Sequence, residues 1–274
     1  MLKPQNWMRI PLLFLVSLIS LKSFSQILID KSLRDYSHII VGYNNHKGNI
    51  QGTGFVIFYQ NQFYLITNYH IFTAKCPDTG LKTEDAPDTN TSVVFYYVDK
   101  ILSIYGMYEY PLFNKIHVSY YQTFSRNNSI MDLAVMPIIL PENSYIPYFT
   151  TAQIDMSKKC SINASLDILG FPSYPKDKFG RTETINTKSI DRFPNPNLWL
   201  QFADTNKYGF SGAPVYLLTQ NNQAKLVGVC TGSVSYGDDK ERTGYGAYMR
   251  DVIEAIKTCK KRKLISNRGL KFNP

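Results

Sequence analysis

A serine lies between glycines in residues 208–214, which read YGFSGAP. The hydroxyl of Ser211 is a weak nucleophile by itself, and it becomes reactive when a neighbouring base takes its proton. The flanking glycines allow backbone angles that turn several N–H groups toward one point, where they can stabilise a developing negative oxygen. The chemistry that this segment would serve is acyl transfer. Since ordinary turns also use glycine and serine, the segment alone fits a plain turn equally well.

Two further residues have the types needed to activate Ser211. His70 follows the apolar run at residues 64–66, and Asp132 precedes the apolar run at residues 133–135. A neutral imidazole accepts the serine proton, and a buried carboxylate holds the other ring N–H in place. Taken singly, the histidine also fits a strand edge, and the aspartate also fits a cap or a turn. Together with the serine they predict a His–Asp–Ser triad.

The order of these residues along the chain excludes other classes of hydrolase. An α/β-hydrolase needs its histidine after the serine, and Ala213 interrupts the Gly-x-Ser-x-Gly pattern. No histidine lies far enough beyond a cysteine for a papain-like site, no HExxH motif is present, and no cysteines have zinc-site spacing. We therefore expect no metal and no cofactor. The remaining histidines all precede Ser211: His38, His46 and His117.

The elements that would position these residues are mostly short strands. From residue 36 onward, turn residues separate apolar or alternating runs such as GTGFVIFY, QFYLITNY, DLAVMPI, LDILGF and AKLVGVCTG. Helical periodicity is clear only in residues 248–263, where apolar residues share one face. The pattern predicts an all-β protein, a barrel or a sandwich, with a C-terminal helix. We expect its two halves to divide near residues 141–155.

The basic charge of the chain belongs to its two ends. The formal net charge is +9 over 274 residues. Residues 1–25 carry three basic residues and residues 257–274 carry seven, and neither segment contains an acid, so the body at residues 26–256 is close to neutral. A groove that follows nucleic-acid phosphates needs its charge on the body, so nucleic-acid binding is not expected. We interpret the basic tail at residues 257–274 as a solvated helix end, with a surface-binding role as the alternative.

Residues 1–25 have the pattern of a secretory signal peptide. Lys3 and Arg9 form a basic start, an apolar run follows at residues 10–21, and small residues precede Gln26. The run is too short to cross a bilayer comfortably, and an uncleaved N-terminal anchor is the alternative interpretation. We expect export to the periplasm or the medium after cleavage, with no membrane span in the mature chain. In such a compartment, up to two disulfides are possible among Cys76, Cys160, Cys230 and Cys259, with the pairing left open.

Several motifs, all in the same order, resemble those of the trypsin-like serine peptidase family, nearer its bacterial branches. They cover roughly residues 36–257 and are jointly specific. The motifs are residues 52–57 (GTGFVI), 65–70 (LITNYH), 132–135 (DLAV), 169–172 (LGFP), 209–214 (GFSGAP) and 226–232 (LVGVCTG).

The resemblance implies a chymotrypsin-like fold of two six-stranded antiparallel β barrels, with the triad in the cleft between them. Ser211 would attack the carbonyl of a polypeptide substrate while His70 takes its proton and Asp132 orients the imidazole. The N–H groups of Gly209 and Ser211 would form the oxyanion hole. The chain would then be an exported serine endopeptidase. The alternative is an inactive protein of the same fold that serves as a binding module.

The chain departs from the family pattern at Phe210. Relatives that are activated by cleavage carry an acid before the serine, which pairs with a new N-terminus, and phenylalanine cannot form that ion pair. We therefore expect the oxyanion loop to be organised without such cleavage. Where relatives bind the substrate side chain, the resemblance places Thr205, Cys230, Thr231 and Gly232. These residues indicate a neutral pocket for small or apolar side chains.

Overall fold

The structure is a computed structural model. The predicted signal peptide and part of the basic tail lie outside the residues that it describes. The described residues are 33–44, 47–77, 79–81, 90–99, 104–115, 118–126, 129–140, 146–157, 159–172, 182–191, 199–203, 208–219, 223–235, 242–259 and 269–271.

The first sheet is antiparallel and has eight strands in the order β14-β5-β4-β1-β2-β3-β7-β6. A short helix, α1 (Tyr69–Thr73), follows its third strand along the chain. The strands are β1 (His38–Asn44), β2 (Lys47–Tyr59), β3 (Gln62–Thr67), β4 (Ser92–Asp99), β5 (Ile104–Pro111), β6 (Gln122–Arg126), β7 (Ser129–Ile138) and β14 (Gly269–Lys271).

The second sheet is also antiparallel and has six strands in the order β10-β13-β12-β11-β8-β9. Helix α2 (Met249–Thr258) follows its last strand. A single turn of 3₁₀ helix, Thr151–Gln153, lies on the connection between the two sheets. The strands are β8 (Ser165–Gly170), β9 (Glu183–Lys188), β10 (Leu200–Ala203), β11 (Pro214–Leu218), β12 (Ala224–Ser235) and β13 (Arg242–Tyr248).

Local sequence explains the hairpins that build the first sheet. Strands β2 and β3 are joined through Gln60 and Asn61, whose φ angles are 48° and 61°. Positive φ at both central residues gives a turn whose twist matches that of the flanking strands. The hairpin fixes the register at Tyr59↔Gln62 and Phe55↔Ile66. This register carries β3 directly into α1.

An apolar cluster joins the two sheets and helix α2. It contains Phe55 and Leu133 from the first sheet, Val229 from the second, and Val252 from the helix, all of them almost fully buried. Burial of apolar surface of this kind is the main favourable term in folding. The two sheets are therefore packed on a shared core along one side, and the segments that carry the candidate triad lie beside it.

The predicted all-β fold with two barrels and a terminal helix is confirmed, with two differences in detail. The first sheet has eight strands rather than six, because hairpin β6–β7 adds an edge strand and β14 adds another. The tail is not simply a solvated helix end: α2 ends at Thr258, and residues 269–271 pair with β5. Among the described residues, no helix has the length and apolar character needed to cross a membrane.

Candidate active site

His70 is held at the start of a very short helix. Helix α1 has five residues, and it begins after Asn68, whose φ and ψ of −84° and 153° are those of extended chain. It ends at Ala74, which has a φ of 58° and donates its N–H to the carbonyl of His70. The strand before and the left-handed residue after it leave His70 on a single tight turn at the end of β3.

Asp132 holds both the ring and the backbone of His70. One carboxylate oxygen lies 2.6 Å from Nδ1 of the imidazole, and the other accepts the backbone N–H of His70 at 2.9 Å. The carbonyl of Asp132 in turn accepts from the amide of Asn68 at 2.6 Å. An ionised carboxylate only accepts hydrogen bonds, so in a neutral imidazole the proton lies on Nδ1. Nε2 is then left as the basic atom.

Ser211 lies on the turn that leads into β11. The N–H of Gly212 donates to the carbonyl of Cys230 at 2.8 Å, and the N–H of Ala213 donates to the carbonyl of Phe210 at 2.9 Å. Among the described residues, the Ser211 hydroxyl forms one hydrogen bond, to the carbonyl of Thr231 at 3.4 Å, and it does not bond to His70. The hydroxyl is thus weakly held in this conformation.

Helix α1 and the Ser211 turn meet at Gly52 on strand β2. A Cβ added there would lie 2.7 Å from Cδ1 of Ile71, the residue after His70, and 2.8 Å from the Ser211 carbonyl. The neighbouring Thr53 donates its N–H to the same carbonyl at 2.7 Å. The absence of a side chain at Gly52 lets the two segments approach this closely. The structure therefore brings together the turns that carry His70, Asp132 and Ser211.

Three consecutive backbone N–H groups of the turn are uncommitted. Within the described part of the chain, the N–H groups of Gly209, Phe210 and Ser211 donate to no acceptor, whereas those of Gly212 and Ala213 do. Most buried backbone N–H groups in proteins have partners. Two of these free donors, on Gly209 and Ser211, are the ones predicted above to form an oxyanion hole, and that role stays a prediction.

Glycine is required at two positions of this turn. Gly209 has a φ of 93° and Gly212 a φ of 85°, a region that residues with a Cβ rarely adopt. A Cβ at Gly212 would also lie 2.0 Å from the carbonyl oxygen of Thr53. The backbone at both positions is therefore available to glycine alone.

Phe210 anchors the turn in the core of the second sheet. Its side chain is fully buried, and it belongs to a cluster with Ile168, Leu200 and Val215. A Cβ added to Gly170 would lie 2.7 Å from the ring, so the glycine of the LGFP motif makes room for it. Apolar packing therefore holds this position of the turn, and phenylalanine can form no ion pair there.

The predicted substrate-binding residues have different environments. Cys230 and Thr231 are buried, and Gly232 is half-buried beside the phenol of Tyr245. The strand β12 has an irregular register between Cys230 and Gly232, which changes the direction of the chain next to the Ser211 turn. Thr205 lies outside the described residues, so the expected neutral pocket stays a prediction.

All four cysteines lie in the described segments, and all are free thiols. Burial raises the pKa of Cys160 to about 11, with a smaller contribution from Asp155. A thiol with a raised pKa is a poor nucleophile and a poor metal ligand at neutral pH. Among the described residues, no three His, Cys, Asp or Glu side chains are placed to hold a metal ion.

Two residues that support the site were missed from the sequence. Asn68 bonds the backbone of Asp132, and Thr53 bonds the backbone of Gly209 and of Ser211. Both lie inside quoted motifs, at residues 65–70 and 52–57. Their partners are distant in sequence, so no local pattern identifies them as supports. The signal that was present is a polar residue at a position that the strand pattern predicts to be buried.

Comparison with solved structures identifies the fold. No protein-family model matches the chain, and no curated protein matches it. A thermostable serine protease from an extremophilic microorganism has a TM-score of 0.55 and 10% identity, covering 84% of this chain and 99% of that one. Anisep, a protease from Arthrobacter nicotinovorans, has a TM-score of 0.54 and 12% identity, covering 82% and 95%.

A serine endoprotease from Yersinia pestis has a TM-score of 0.50 and 14% identity, covering 82% of this chain and 63% of that one. At these identities the likeness bears on the fold alone. The antiparallel sheets, their shared core and the terminal helix agree with it. The chain therefore has the chymotrypsin-like fold of the serine proteases.

Proposed function

We propose that the chain is a serine endopeptidase in which Ser211 is the nucleophile, His70 the general base and Asp132 the residue that orients it. The observation that carries the proposal is the pair of uncommitted N–H groups at Gly209 and Ser211, on the same turn as the hydroxyl. Most buried backbone N–H groups have partners, and donors left free on a mostly buried turn are explained by a group that they stabilise when a substrate binds. The fold, which is shared with serine proteases, and the bond from Asp132 to His70 support the same assignment.

In the proposed reaction, the Ser211 hydroxyl attacks the carbonyl carbon of a peptide bond as Nε2 of His70 takes its proton. The carbonyl oxygen becomes negative, and the N–H groups of Gly209 and Ser211 stabilise it. His70 then donates the proton to the leaving amine, which gives an acyl-enzyme. Water attacks the ester with His70 again as base and releases the acid. Asp132 stays ionised and stabilises the imidazolium.

The first step requires a rotation of the Ser211 side chain. Its hydroxyl now bonds to the Thr231 carbonyl at 3.4 Å, which is a long and therefore weak hydrogen bond. Side-chain rotation about one bond is fast and inexpensive. Catalytic hydrogen bonds are often absent or long without substrate and shorten when it binds. We infer that a bound polypeptide, which competes for space beside β12, favours the rotamer that faces His70.

Labelling with a fluorophosphonate tests the proposal. The purified chain and its Ser211→Ala variant are treated with the reagent, and the modified residue is identified by mass spectrometry. We expect labelling of Ser211 in the wild type and none in the variant. Casein hydrolysis should fall by about 10⁴- to 10⁶-fold in the variant, as for other triad serines. A folded wild type that is not labelled and hydrolyses casein no faster than Ser211→Ala would contradict the proposal.

The second candidate function is a binding module without catalysis. It is favoured by one observation, the Ser211 hydroxyl directed at a carbonyl rather than at His70. In such a protein Ser211→Ala would leave partner binding intact and change no turnover. The labelling experiment separates the two, because a fluorophosphonate needs an activated serine and a working oxyanion site, whereas a binding cleft needs neither.

We also propose that the protein is exported. The proposal is supported by the basic start, the apolar run at residues 10–21 and the small residues before Gln26. Cell fractionation followed by N-terminal sequencing tests it. A mature chain that starts near Gln26 in the periplasm or the medium is the expected result. A full-length chain recovered from the cytoplasm would overturn it.

A further inference from the structure

Thr53 is a single side chain that connects the first barrel to the Ser211 turn. It lies on β2 between Gly52 and Gly54 and is fully buried. Its hydroxyl donates to the carbonyl of Gly209 at 2.7 Å, and its backbone N–H donates to the carbonyl of Ser211 at 2.7 Å. One residue of the first barrel therefore holds two carbonyls of a turn that belongs to the second.

The same hydroxyl also reaches a second loop. Its oxygen accepts the N–H of Phe171 at 3.0 Å, and Phe171 directly follows β8. The carbonyl of Thr53 accepts the hydroxyl of Thr67 at 2.7 Å, which fixes the strand on which Thr53 sits. All the polar groups of Thr53 are thus engaged, and its hydroxyl joins the turn at Gly209 to the loop at Phe171.

These bonds constrain the direction of the free N–H groups. The carbonyls of Gly209 and Ser211 are held by Thr53, and the carbonyl of Phe210 between them is held by Ala213. In a trans peptide the N–H points opposite to the preceding carbonyl. The bond from Ala213 therefore sets the direction of the Ser211 N–H. The Gly209 carbonyl lies in the same peptide plane as the Phe210 N–H, so the bond from the Thr53 hydroxyl fixes the plane between the two free donors and, through it, the orientation of the Gly209 N–H relative to the Ser211 N–H.

We propose that Thr53 is a positioning residue that holds the oxyanion loop in its working conformation from the opposite barrel. The inference rests on the proposed function and extends it to the regulation of the same site. A loop held by this hydroxyl and by the buried Phe210 needs no new N-terminus to become organised. The chain would then be active without a proteolytic activation step.

Loss of the hydroxyl should free the part of the loop that is easiest to move. Valine has nearly the shape of threonine, so it preserves packing but leaves the Gly209 carbonyl and the Phe171 N–H without a partner. Gly209 has no Cβ and reaches many backbone conformations at little cost. The peptide between Gly209 and Phe210 can then rotate, which moves the Gly209 carbonyl and the Phe210 N–H. The Gly209 N–H then loses its fixed orientation relative to the Ser211 N–H, so the two donors no longer point to one oxyanion.

The experiment compares three variants of the purified full chain in fluorophosphonate labelling. Thr53→Val removes the hydroxyl, and Thr53→Ser retains it. The matched control is Ser37→Ala, which removes another buried hydroxyl that donates to a carbonyl across the barrels, that of Leu169 at 2.9 Å. Two quantities are measured for each: the maximal labelling rate and the reagent concentration that gives half of it.

We expect Thr53→Val to lower the maximal rate by about 10- to 100-fold, somewhat less than the loss of a whole oxyanion donor. The half-saturating concentration should change by less than about threefold, because ground-state binding does not use the oxyanion donors. Thr53→Ser should stay within about threefold of the wild-type rate, and Ser37→Ala should do the same. If the Thr53 hydroxyl only stabilised the fold, the maximal labelling rate would not fall selectively while the half-saturating concentration stayed the same.

The outcomes distinguish the two proposals. A folded wild type that is not labelled refutes the proposed function itself. A labelled wild type with Thr53→Val labelled at the same rate overturns the positioning role and leaves the function standing. Thermal unfolding of each variant is measured in parallel, with Thr53→Ala as a second hydroxyl-free variant. If neither hydroxyl-free variant has a cooperative unfolding transition while Thr53→Ser does, the hydroxyl serves the fold, and the positioning role is likewise rejected.

Discussion

The two halves of the candidate site are held in different ways. On the first barrel, side chains position the site: the Asp132 carboxylate forms hydrogen bonds with the ring and the backbone N–H of His70. On the second barrel, backbone geometry does it: two glycines with positive φ and the buried ring of Phe210 shape the turn around Ser211. The half of the candidate site that contains His70 and Asp132 thus depends on hydrogen bonds of side chains, which a substitution can remove without changing the backbone. The half that contains Ser211 depends on the backbone conformation of the turn.

The difference has a consequence for how each half tolerates change. A side chain that only orients another can be exchanged for an isostere without moving the fold, so activity falls and stability does not. A turn that depends on a buried ring and on glycine cannot be altered locally, so activity and stability fall together. The free energy of unfolding, measured together with activity in each variant, therefore distinguishes the two halves.

The largest expected effect comes from Asp132→Asn. The amide has the size of the carboxylate, but its NH₂ would donate to Nδ1 of His70 and place the ring proton on Nε2, where the base must be free. We expect turnover to fall by about 10⁴-fold with little change in unfolding temperature. Casein hydrolysis and thermal unfolding measure the two. Asp167→Asn on β8, whose carboxylate accepts from Asn186, is the control and should keep full activity. Equal losses in both variants would contradict the orienting role.

Phe210→Ala tests the other half of the comparison. Truncation of a fully buried ring leaves a cavity, and we expect a loss of about 4 kcal/mol in the free energy of unfolding. Serine labelling should also fall, because the anchor of the turn is gone. Phe202→Ala is the matched control: it is buried in the same cluster and lies on β10, away from the turn. It should lose similar stability in urea unfolding and keep its labelling. Retained labelling in Phe210→Ala would show that the ring does not hold the turn.

The sequence predicts the structure best where one short motif contains both a candidate site residue and the strand next to it. The runs at residues 65–70 and 132–135 each place a polar residue next to an apolar run, and together with the motif around Ser211 they predict a triad in which His70 and Asp132 meet, as they do. Strand patterns likewise predict the class of fold, since alternation is a local property.

The remaining features depend on contacts between distant segments. The bond from Thr53 to Gly209 spans 156 residues, and the ion pair between Arg126 and Asp251 spans 125. The pairing of β14 with β5 returns the chain end to the first sheet, although its own sequence predicts no strand. In each case, a residue that is ordinary in its local sequence acquires its role from tertiary packing, which local periodicity does not encode.

His38 makes the first barrel sensitive to acid. It is fully buried against the ring of Phe95, and this burial lowers its pKa to about 4, although the backbone of Pro147 and of Tyr96 acts in the opposite direction. The unfolded chain binds the proton near pH 6.5, so between pH 6.5 and 4 the unfolded state takes up more protons than the folded one. Stability should therefore fall by about 3 kcal/mol as the pH drops through that window.

Urea unfolding of the wild type and of His38→Gln at several pH values tests this prediction. The variant lacks the buried imidazole, so the difference between the two proteins isolates it from the other three histidines, all of which also precede the second sheet. The wild type should lose stability more steeply than the variant between pH 6.5 and 4. Parallel pH profiles would show that His38 is not the group responsible.

The smallest effect is expected at the junction between the two halves. Asp251 in α2 is fully buried, and its carboxylate accepts from Arg126 on β6 at 2.5 Å and lies 3.4 Å from Arg250. Burial raises its pKa, and both arginines oppose that rise.

Arg126→Met should cost about 2 kcal/mol at neutral pH, less than a fully buried pair would lose, because Arg126 is 26% exposed and Arg250 remains. The loss should shrink as the pH falls, because a protonated Asp251 needs no partner. Asp251→Asn in the same chain should recover part of the stability, since it removes a buried carboxylate that has lost one of its two arginine partners. A loss that is independent of pH and unchanged in the double variant would mean that Arg126 holds α2 by the packing of its aliphatic stem, and that the two barrels are joined here by apolar contact alone.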